Sequence, residues 1–460
     1  MNEREPVVVG GLPVVLRPGS GTALHEQLEV SLRDQVRSGR LAPGTRLPSS
    51  RGLAAELGVS RGVVIEAYAQ LSAEGYLTAS QGAPTRVALV PSGERERPPV
   101  AATSLGARHR YDFDPCRPDL VSFPRGDWLR SLRAAARDAP FHRLGHGDPR
   151  GEPELRNALM SYLGRARGAA PEPEHTIVCG SFAQGFAVLC RTLHARGIER
   201  IAVEAPGYEA HRLIAQAAGL EPVAVEVDEH GISVVELAAS ACEVAVVTPA
   251  HQFPTGVVLS AERRTALLEW AEDEDALVIE DDYDSELRYD REAVGALQGL
   301  APERIAHIGS VSKRLAPGLR LGWVLSPSWL SGALTYEKAV ADGGTAALEQ
   351  LALADLIERG ELERLLRRMR LRYRARRHAL LDALAELVPA ARATGIAAGL
   401  FTAVTMPAID ERAAAAAGVG VHVVEGTAGD DRRTQLALGF AGMSERGLVD
   451  GVAALAAAVR

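Results

Sequence analysis

Between residues 200 and 326 six short apolar runs recur: RIAVEAP (200–206), EPVAVEVD (221–228), VAVVTPA (244–250), ALVIEDD (276–282), RIAHIGS (304–310) and LRLGWVLS (319–326). Each is rich in β-branched residues, and amphipathic stretches such as AERRTALLEWAEDED separate them. Strands that are apolar on both faces and alternate with helices require a mostly parallel sheet covered on both sides, so the chain is α/β. In such sheets ligands gather beyond the carboxyl ends of the strands, which directs attention to the residues that follow each run.

Asp281, Asp282 and Tyr283 end one run, and Ser310, Ser312 and Lys313 end the next. Taken singly, an Asp at a strand end most often caps the following turn, and a lysine there is ordinary surface. Lysine is rare here, however: of the 51 basic residues only Lys313 and Lys338 are lysines. An aldehyde cofactor needs an amine to form a Schiff base, a carboxylate to keep a pyridine nitrogen protonated, and hydroxyls with an arginine for a phosphate. Lys313, Asp281, Ser310, Ser312 and Arg320 supply that set. Arginine could not replace Lys313, because a permanently protonated guanidinium does not attack carbonyls.

At 460 residues and 47% hydrophobic content, the chain can bury a large core and should divide into two or three domains. PSGERERPPVAATSLGAR, rich in Pro, Ser and Ala with no sustained period, reads as an interdomain linker at 91–108. It separates a small segment, 14–90, from a large one, 109–460. The opening MNEREPVVVGG lacks the basic start and long apolar run of a signal peptide, and no apolar stretch reaches the roughly 18 residues of a membrane span, so the expectation is a cytoplasmic protein without membrane contact. Cys116, Cys179, Cys190 and Cys242 lie far apart with no CxxC spacing, which argues for buried thiols rather than a metal site or disulfides. A net charge of −8 excludes a nucleic-acid coat but not a local DNA-reading surface.

In the small segment Leu24, Leu28, Leu32 and Val36 repeat every four residues, and Gly39 closes that helix. A second helix starts at Ser49 or Ser50, faces Leu53 and Leu57 inward and stops at Gly58. Ser60 caps a third, with Val63, Val64, Ala67, Tyr68 and Leu71 on one stripe and Arg61, Gly62 and Ile65 turned outward. Two short strands around Gly82 complete a winged helix-turn-helix pattern, whose third helix enters the major groove with its N-terminal end.

PGTRLPSSRGLAAELGVSRGVVIEAYAQLSAEGYL resembles the GntR family of bacterial repressors in its LPSSR turn, its GVSR helix start and its GYL entry to the wing. By that resemblance Arg51, Ser60 and Arg61 match DNA-contacting positions and Gln81 and Gly82 match the wing tip. Arg46 is a further phosphate partner, because guanidinium binds phosphate oxygens well. CGSFAQGFAVL, VEAPGYEAHR, TPAHQFPTGVVLS, IEDDYDSELRYD and GSVSKRLAPGLRLGW resemble the successive motifs of fold-type-I aminotransferases, in the form carried by the MocR subfamily of GntR regulators.

The resemblance implies pyridoxal 5'-phosphate as cofactor, joined to Lys313 as an internal aldimine, with Asp281 on the pyridine nitrogen. It implies Tyr283 on the ring's phenolate oxygen, Tyr208 stacked on the ring face, and Ser181 and Phe182 offering backbone N–H groups to the phosphate, which Ser310, Ser312 and Arg320 complete. His251 and Gln252 both lie where the family places a second ring-oxygen contact, the HQFPTG form shifting the match by one residue, and Gln252 is the one carried. It also implies a double-stranded DNA operator as partner and a head-to-tail homodimer, in which each small domain packs against the other copy's large one.

Departures from the pattern bear on function. Aminotransferases, and members that sense an amino acid, grip the carboxylate with arginine. One such arginine usually lies in an RLGF-like strand, where this chain reads QLALGF with Ala437. A second follows the stacking tyrosine in the GABA-responsive member; here Glu209, Ala210 and His211 follow Tyr208, and Arg212 comes late. A tyrosine expected near GHGDPRG is His146, and Arg432 or Arg433 stand as possible substitutes for the missing grip. The expectation is a regulator that senses pyridoxal phosphate or an amine effector through an aldimine at Lys313, with a working aminotransferase as the alternative. The arginines of 364–377 read as a solvated helix face with salt bridges and the alanines of 413–417 as helix.

Overall fold

A computed structural model describes residues 7–9, 12–79, 83–88, 109–289, 294–424 and 433–459. Contacts divide the chain into two compact units, Met1–Gly106 and Ala107–Arg460. Gln81, Gly82, Arg432 and the expected linker at 91–108 lie outside the described residues.

The small unit has helices Leu24–Arg37, Ser50–Leu57 and Arg61–Ala73, then an antiparallel ribbon pairing Leu77 with Val87 and Thr78 with Arg86. Leu28, Leu32, Leu53, Leu57, Val64 and Leu71 share one core with Leu77 and Val87. Ser49 caps the middle helix by accepting from Gly52 N at 3.1 Å, and Gly58, at φ +63°, ends it in the left-handed conformation that glycine adopts without cost. Ser60 occupies the N-cap position of the third helix, but its hydroxyl makes no cap hydrogen bond. It opens that helix by backbone geometry alone.

In the large unit eight strands form one sheet. Their order is Thr176–Cys179, Gly322–Leu325, Ile305–Ser310, Leu277–Asp282, Val244–Val247, Arg200–Ala205, Glu221–Asp228 and Gly231–Ile232. The central pairs are parallel, whereas Gly322–Leu325 runs antiparallel to both its neighbours. The run at 319–326 starts its strand later than its apolar pattern suggests, because Pro317–Leu319 make a 3-10 turn and Arg320 takes φ +53°. Glu221–Asp228 lies beside the edge and is only partly buried, so it is not covered on both faces like its neighbours. Thr176–Cys179, too short to stand out in the sequence, completes the far edge.

A smaller antiparallel sheet orders Arg392–Thr394, Phe401–Pro407, Arg433–Gly439 and His422–Val423. The arginine-rich segment lies in a long helix, Glu361–Leu387, with Arg364, Arg367, Arg368, Arg372 and Arg374 exposed, and it carries the salt bridges expected of it. Arg372 and Arg376 pair with the buried Asp119 at 3.2 and 3.0 Å, and Arg374 and Arg376 donate to the backbone carbonyls of Tyr289 and Ala441. Glu411–Ala416 is helical, as the alanine run suggests.

Candidate functional site

At the carboxyl ends of the parallel strands a cavity of about 190 Å³ is lined by Ser181, Phe182, Tyr208, Asp281, Tyr283, Ser310, Ser312, Lys313 and Arg320, together with Cys116, Ala183, Thr248, Phe253 and Pro317. Nine of the ten expected cofactor positions therefore meet in one place.

One end of the cavity is built on a helix terminus. Phe182–Ala195 is a 14-residue helix capped by Ser181, whose hydroxyl accepts from Gln184 N at 3.2 Å. The free backbone N–H groups and the dipole of such a terminus favour an anion. It sits hard against the sheet because Gly322 lacks a side chain: a Cβ there would stand 2.9 Å from the Gly309 carbonyl oxygen and 3.1 Å from the Ser181 backbone. Arg320, turned by its left-handed φ, donates from Nη2 to Ser181 Oγ at 2.9 Å. Ser310 Oγ accepts from Ser312 N at 3.4 Å, which closes the turn leading to Lys313.

Lys313 Nζ donates to the Cys116 carbonyl at 2.6 Å, across 197 residues of sequence. Asp281, almost fully buried, accepts or shares a proton with His211 Nε2 at 3.0 Å through Oδ2, while Oδ1 has no hydrogen-bond partner. Burial pushes its carboxyl pKa up, against the lowering effect of the His211 contact. An orphaned carboxylate oxygen facing a cavity that also holds an amine and an anion-favouring helix end fits a protonated pyridine nitrogen, so the residues present fit pyridoxal phosphate.

Tyr208 stands edge-on to His211 and Phe253, with ring centroids 5.4 and 5.8 Å apart, and burial pushes its phenol up to about 12. Tyr283 Oη donates to the His251 carbonyl at 2.7 Å, and burial holds its phenol well above the ordinary value. Gln252 is not brought to the cavity. Its Nε2 donates to Glu204 at 3.2 Å and to the Pro206 carbonyl at 2.9 Å, and its Oε1 accepts from Thr255 N and Oγ1, so its buried amide is used up bracing the HQFPTG turn.

His211, Cys116, Thr248 and Phe253 were not expected from sequence. His211 had a signal: it lies three positions after Tyr208 at the start of a helix, so the two side chains share a face. Behind the site, Asp282 meets Arg167 at 3.0 Å, His307 at 2.9 Å and Arg314 at 3.6 Å. Although burial raises a carboxyl, the Arg167 and Arg314 guanidinium groups and the His307 hydrogen bond hold that of Asp282 well below its usual range.

Ala437 is fully buried and pairs with Ala403 and His422. Phe253, Phe401 and Val424 pack around it. Arg433 is exposed at the far end of the same strand, four residues from Ala437 and so about 13 Å away along the strand. His146 is exposed and does not line the cavity.

In the small unit Arg46, Arg51, Ser60 and Arg61 are all exposed. Arg61 Nε donates to Ser50 Oγ at 3.3 Å, which ties the start of the third helix to the start of the second. Ile65 and Gly62 point outward beside Arg61, so this helix presents a free polar end, the geometry of a recognition helix.

Residues 122–453 match the family "Aminotransferase class I and II", and residues 24–87 match "Bacterial regulatory proteins, gntR family". The fold and site thus define a protein with a fold-type-I aminotransferase-like unit and a winged helix-turn-helix unit. The chain is 36% identical to the HTH-type pyridoxine biosynthesis transcriptional regulator PdxR of Corynebacterium glutamicum, over 83% of each chain. It is 34% identical to the probable rhizopine catabolism regulatory protein MocR of Rhizobium meliloti, over 79% of this chain and 77% of that one. Among solved structures, a kynurenine aminotransferase of Pyrococcus horikoshii matches with a TM-score of 0.68 and 26% identity, over 77% of this chain and 91% of that one. The chain belongs to the GntR family of helix-turn-helix regulators, in the MocR-type branch that carries an aminotransferase-like domain. No helix among the described residues is long and apolar enough to cross a membrane.

Proposed function

We propose that this chain is a DNA-binding transcriptional regulator whose large unit binds pyridoxal 5'-phosphate and senses either that cofactor or an amine-containing effector at Lys313. The observation that carries this reading is the convergence of Lys313, the half-paired Asp281 and the Ser181–Arg320 helix end in one cavity. When bound, the cofactor supplies an aldehyde that captures amines and a pyridine ring that withdraws electrons. Asp281, held by His211, keeps a proton on the ring nitrogen. Ser181, Phe182, Ser310, Ser312 and Arg320 hold the phosphate, Tyr208 covers the ring, and Tyr283 meets its phenolic oxygen. Lys313 provides the amine. One relative is named as a regulator of pyridoxine biosynthesis, which agrees with a response to the cofactor itself.

The small unit reads a double-stranded operator through Arg46, Arg51, Ser60 and Arg61, with the wing tip at Gln81 and Gly82. A head-to-tail homodimer would present two such units to two half-sites. An effector acts by favouring one of two arrangements of the protein, to the extent that it binds them unequally.

The test is absorbance of the purified full-length protein mixed with pyridoxal phosphate, followed by gel-shift with the DNA fragment upstream of its own gene. A red-shifted cofactor band is expected, lost in Lys313→Ala while the melting temperature stays within a few degrees. An unchanged spectrum in that variant sinks the assignment. The completeness of the Lys313, Asp281 and His211 set favours a second reading, a working aminotransferase. Its mark would be sustained formation of a 2-oxo acid from an ordinary amino acid.

A further inference from the structure

Once Lys313 and Arg320 are assigned, the described residues that line the cavity hold no other cation. Arg320 already faces Ser181 at the anion-binding helix end. Tyr208 and Phe253 also line the cavity: their rings meet edge-on at 5.8 Å, and Phe253 is backed by the buried Phe401 at 5.3 Å and by Ala437. Among the described residues the lining therefore offers a carboxylate an apolar surface and no guanidinium beyond Arg320. Acidic groups lie close to it: after burial, Asp281 and Asp114 help raise the Tyr208 phenol, and Asp114, Asp284 and Asp281 help raise the Cys116 thiol against the lowering effect of Lys313. A carboxylate brought here would lose its water with no partner to replace it, beside like charge. An amine with an apolar tail meets the reverse: acidic groups that attract its charge and rings that cover its carbon atoms.

We infer that the effector pocket selects primary amines without a carboxylate, carrying a short apolar or aromatic tail, and discriminates against the corresponding α-amino acids. This rests on the reading of the cavity as a pyridoxal phosphate site. The selection is a specificity property of the wall formed by Tyr208 and Phe253, which the buried Phe401 and Ala437 back, and it needs no turnover.

The full-length protein loaded with pyridoxal phosphate is titrated with decarboxylated and parent pairs, 2-phenylethylamine against L-phenylalanine and isoamylamine against L-leucine, with the cofactor absorbance band as readout. Half-saturation by each amine is expected at a concentration at least about tenfold below that of its amino acid, corresponding to one unfavourable carboxylate burial. Equal response, a preference for the amino acids, or no response to either amine overturns the inference. If the protein shows no cofactor band before any amine is added, the underlying cofactor reading fails and this one with it, so the two failures are distinguishable. Phe253→Arg, which sets a guanidinium on the wall at a lining position, should narrow or reverse the ratio. Should that variant lose its cofactor band through misfolding, the ligand pairs on the unaltered protein still decide the matter.

Discussion

Two adjacent carboxylates at the end of one strand have opposite chemistry. Asp281 faces the cavity with a single partner, and burial drives its pKa up; Asp282 faces the interior, and Arg167, His307 and Arg314 overcome burial to drive its pKa down. A depressed folded pKa gives stability that is present above the unfolded value and lost as pH falls through the folded one. Asp282→Asn is therefore expected to lower stability at neutral pH by about 3 kcal/mol, because it leaves the buried Arg167 without its carboxylate, while Arg314 keeps its pair with Glu286. The penalty should shrink on acidification, when the native Asp282 is itself protonated. Thermal melting at neutral and acid pH measures both. His211→Leu tests the other carboxylate: it leaves Asp281 without any hydrogen bond, and a stability loss of about 2 kcal/mol is expected. A merely structural role for His211 would leave cofactor affinity and the position of the absorbance band unmoved, whereas a positioning role shifts both, and His211→Gln, which can still donate, should restore part of the effect.

At the level of elements, what was legible in the sequence was whatever local pattern dictates. β-branched runs placed the central strands, and Asp281, Ser310, Ser312 and Lys313 were legible because site residues in an α/β sheet follow strand ends. What was hidden depended on contacts distant in sequence. The His211–Asp281 bond spans 70 residues, and the Lys313–Cys116 contact 197. Gln252 misled because its position in the turn matched a ring contact, while the fold spends its amide on Glu204, Pro206 and Thr255. The small antiparallel sheet was nearly invisible, since its strands are short and joined by residues far apart. Ser49 shows how a single local bond sets an element: it satisfies one free N–H of the helix that precedes the recognition helix. Ser49→Ala should cost about 1 kcal/mol of small-unit stability, read as a lower melting transition for that unit.

For the whole molecule, charge and function are arranged against each other. The chain carries a net charge of −8, and residues 24–87 contain seven arginines against six acidic residues, so DNA affinity cannot come from bulk charge. On the proposed reading it comes from a few guanidinium groups placed at the starts of two helices, where Arg51 and Arg61 are exposed and Arg61 is oriented by Ser50. A protein that depends on so few phosphate contacts should show a salt dependence that individual residues visibly control. Measured on the full-length, cofactor-loaded protein with the fragment upstream of its own gene, Arg51→Ala and Arg61→Ala should each reduce the slope of log affinity against log salt by about 1 for each phosphate that the native guanidinium neutralises. A substitution that removes a base contact instead would weaken binding mainly to the specific fragment and leave the slope in place. If neither variant changes affinity or slope, the DNA contact lies elsewhere on the chain, and the assignment of these helix ends as the recognition surface is wrong.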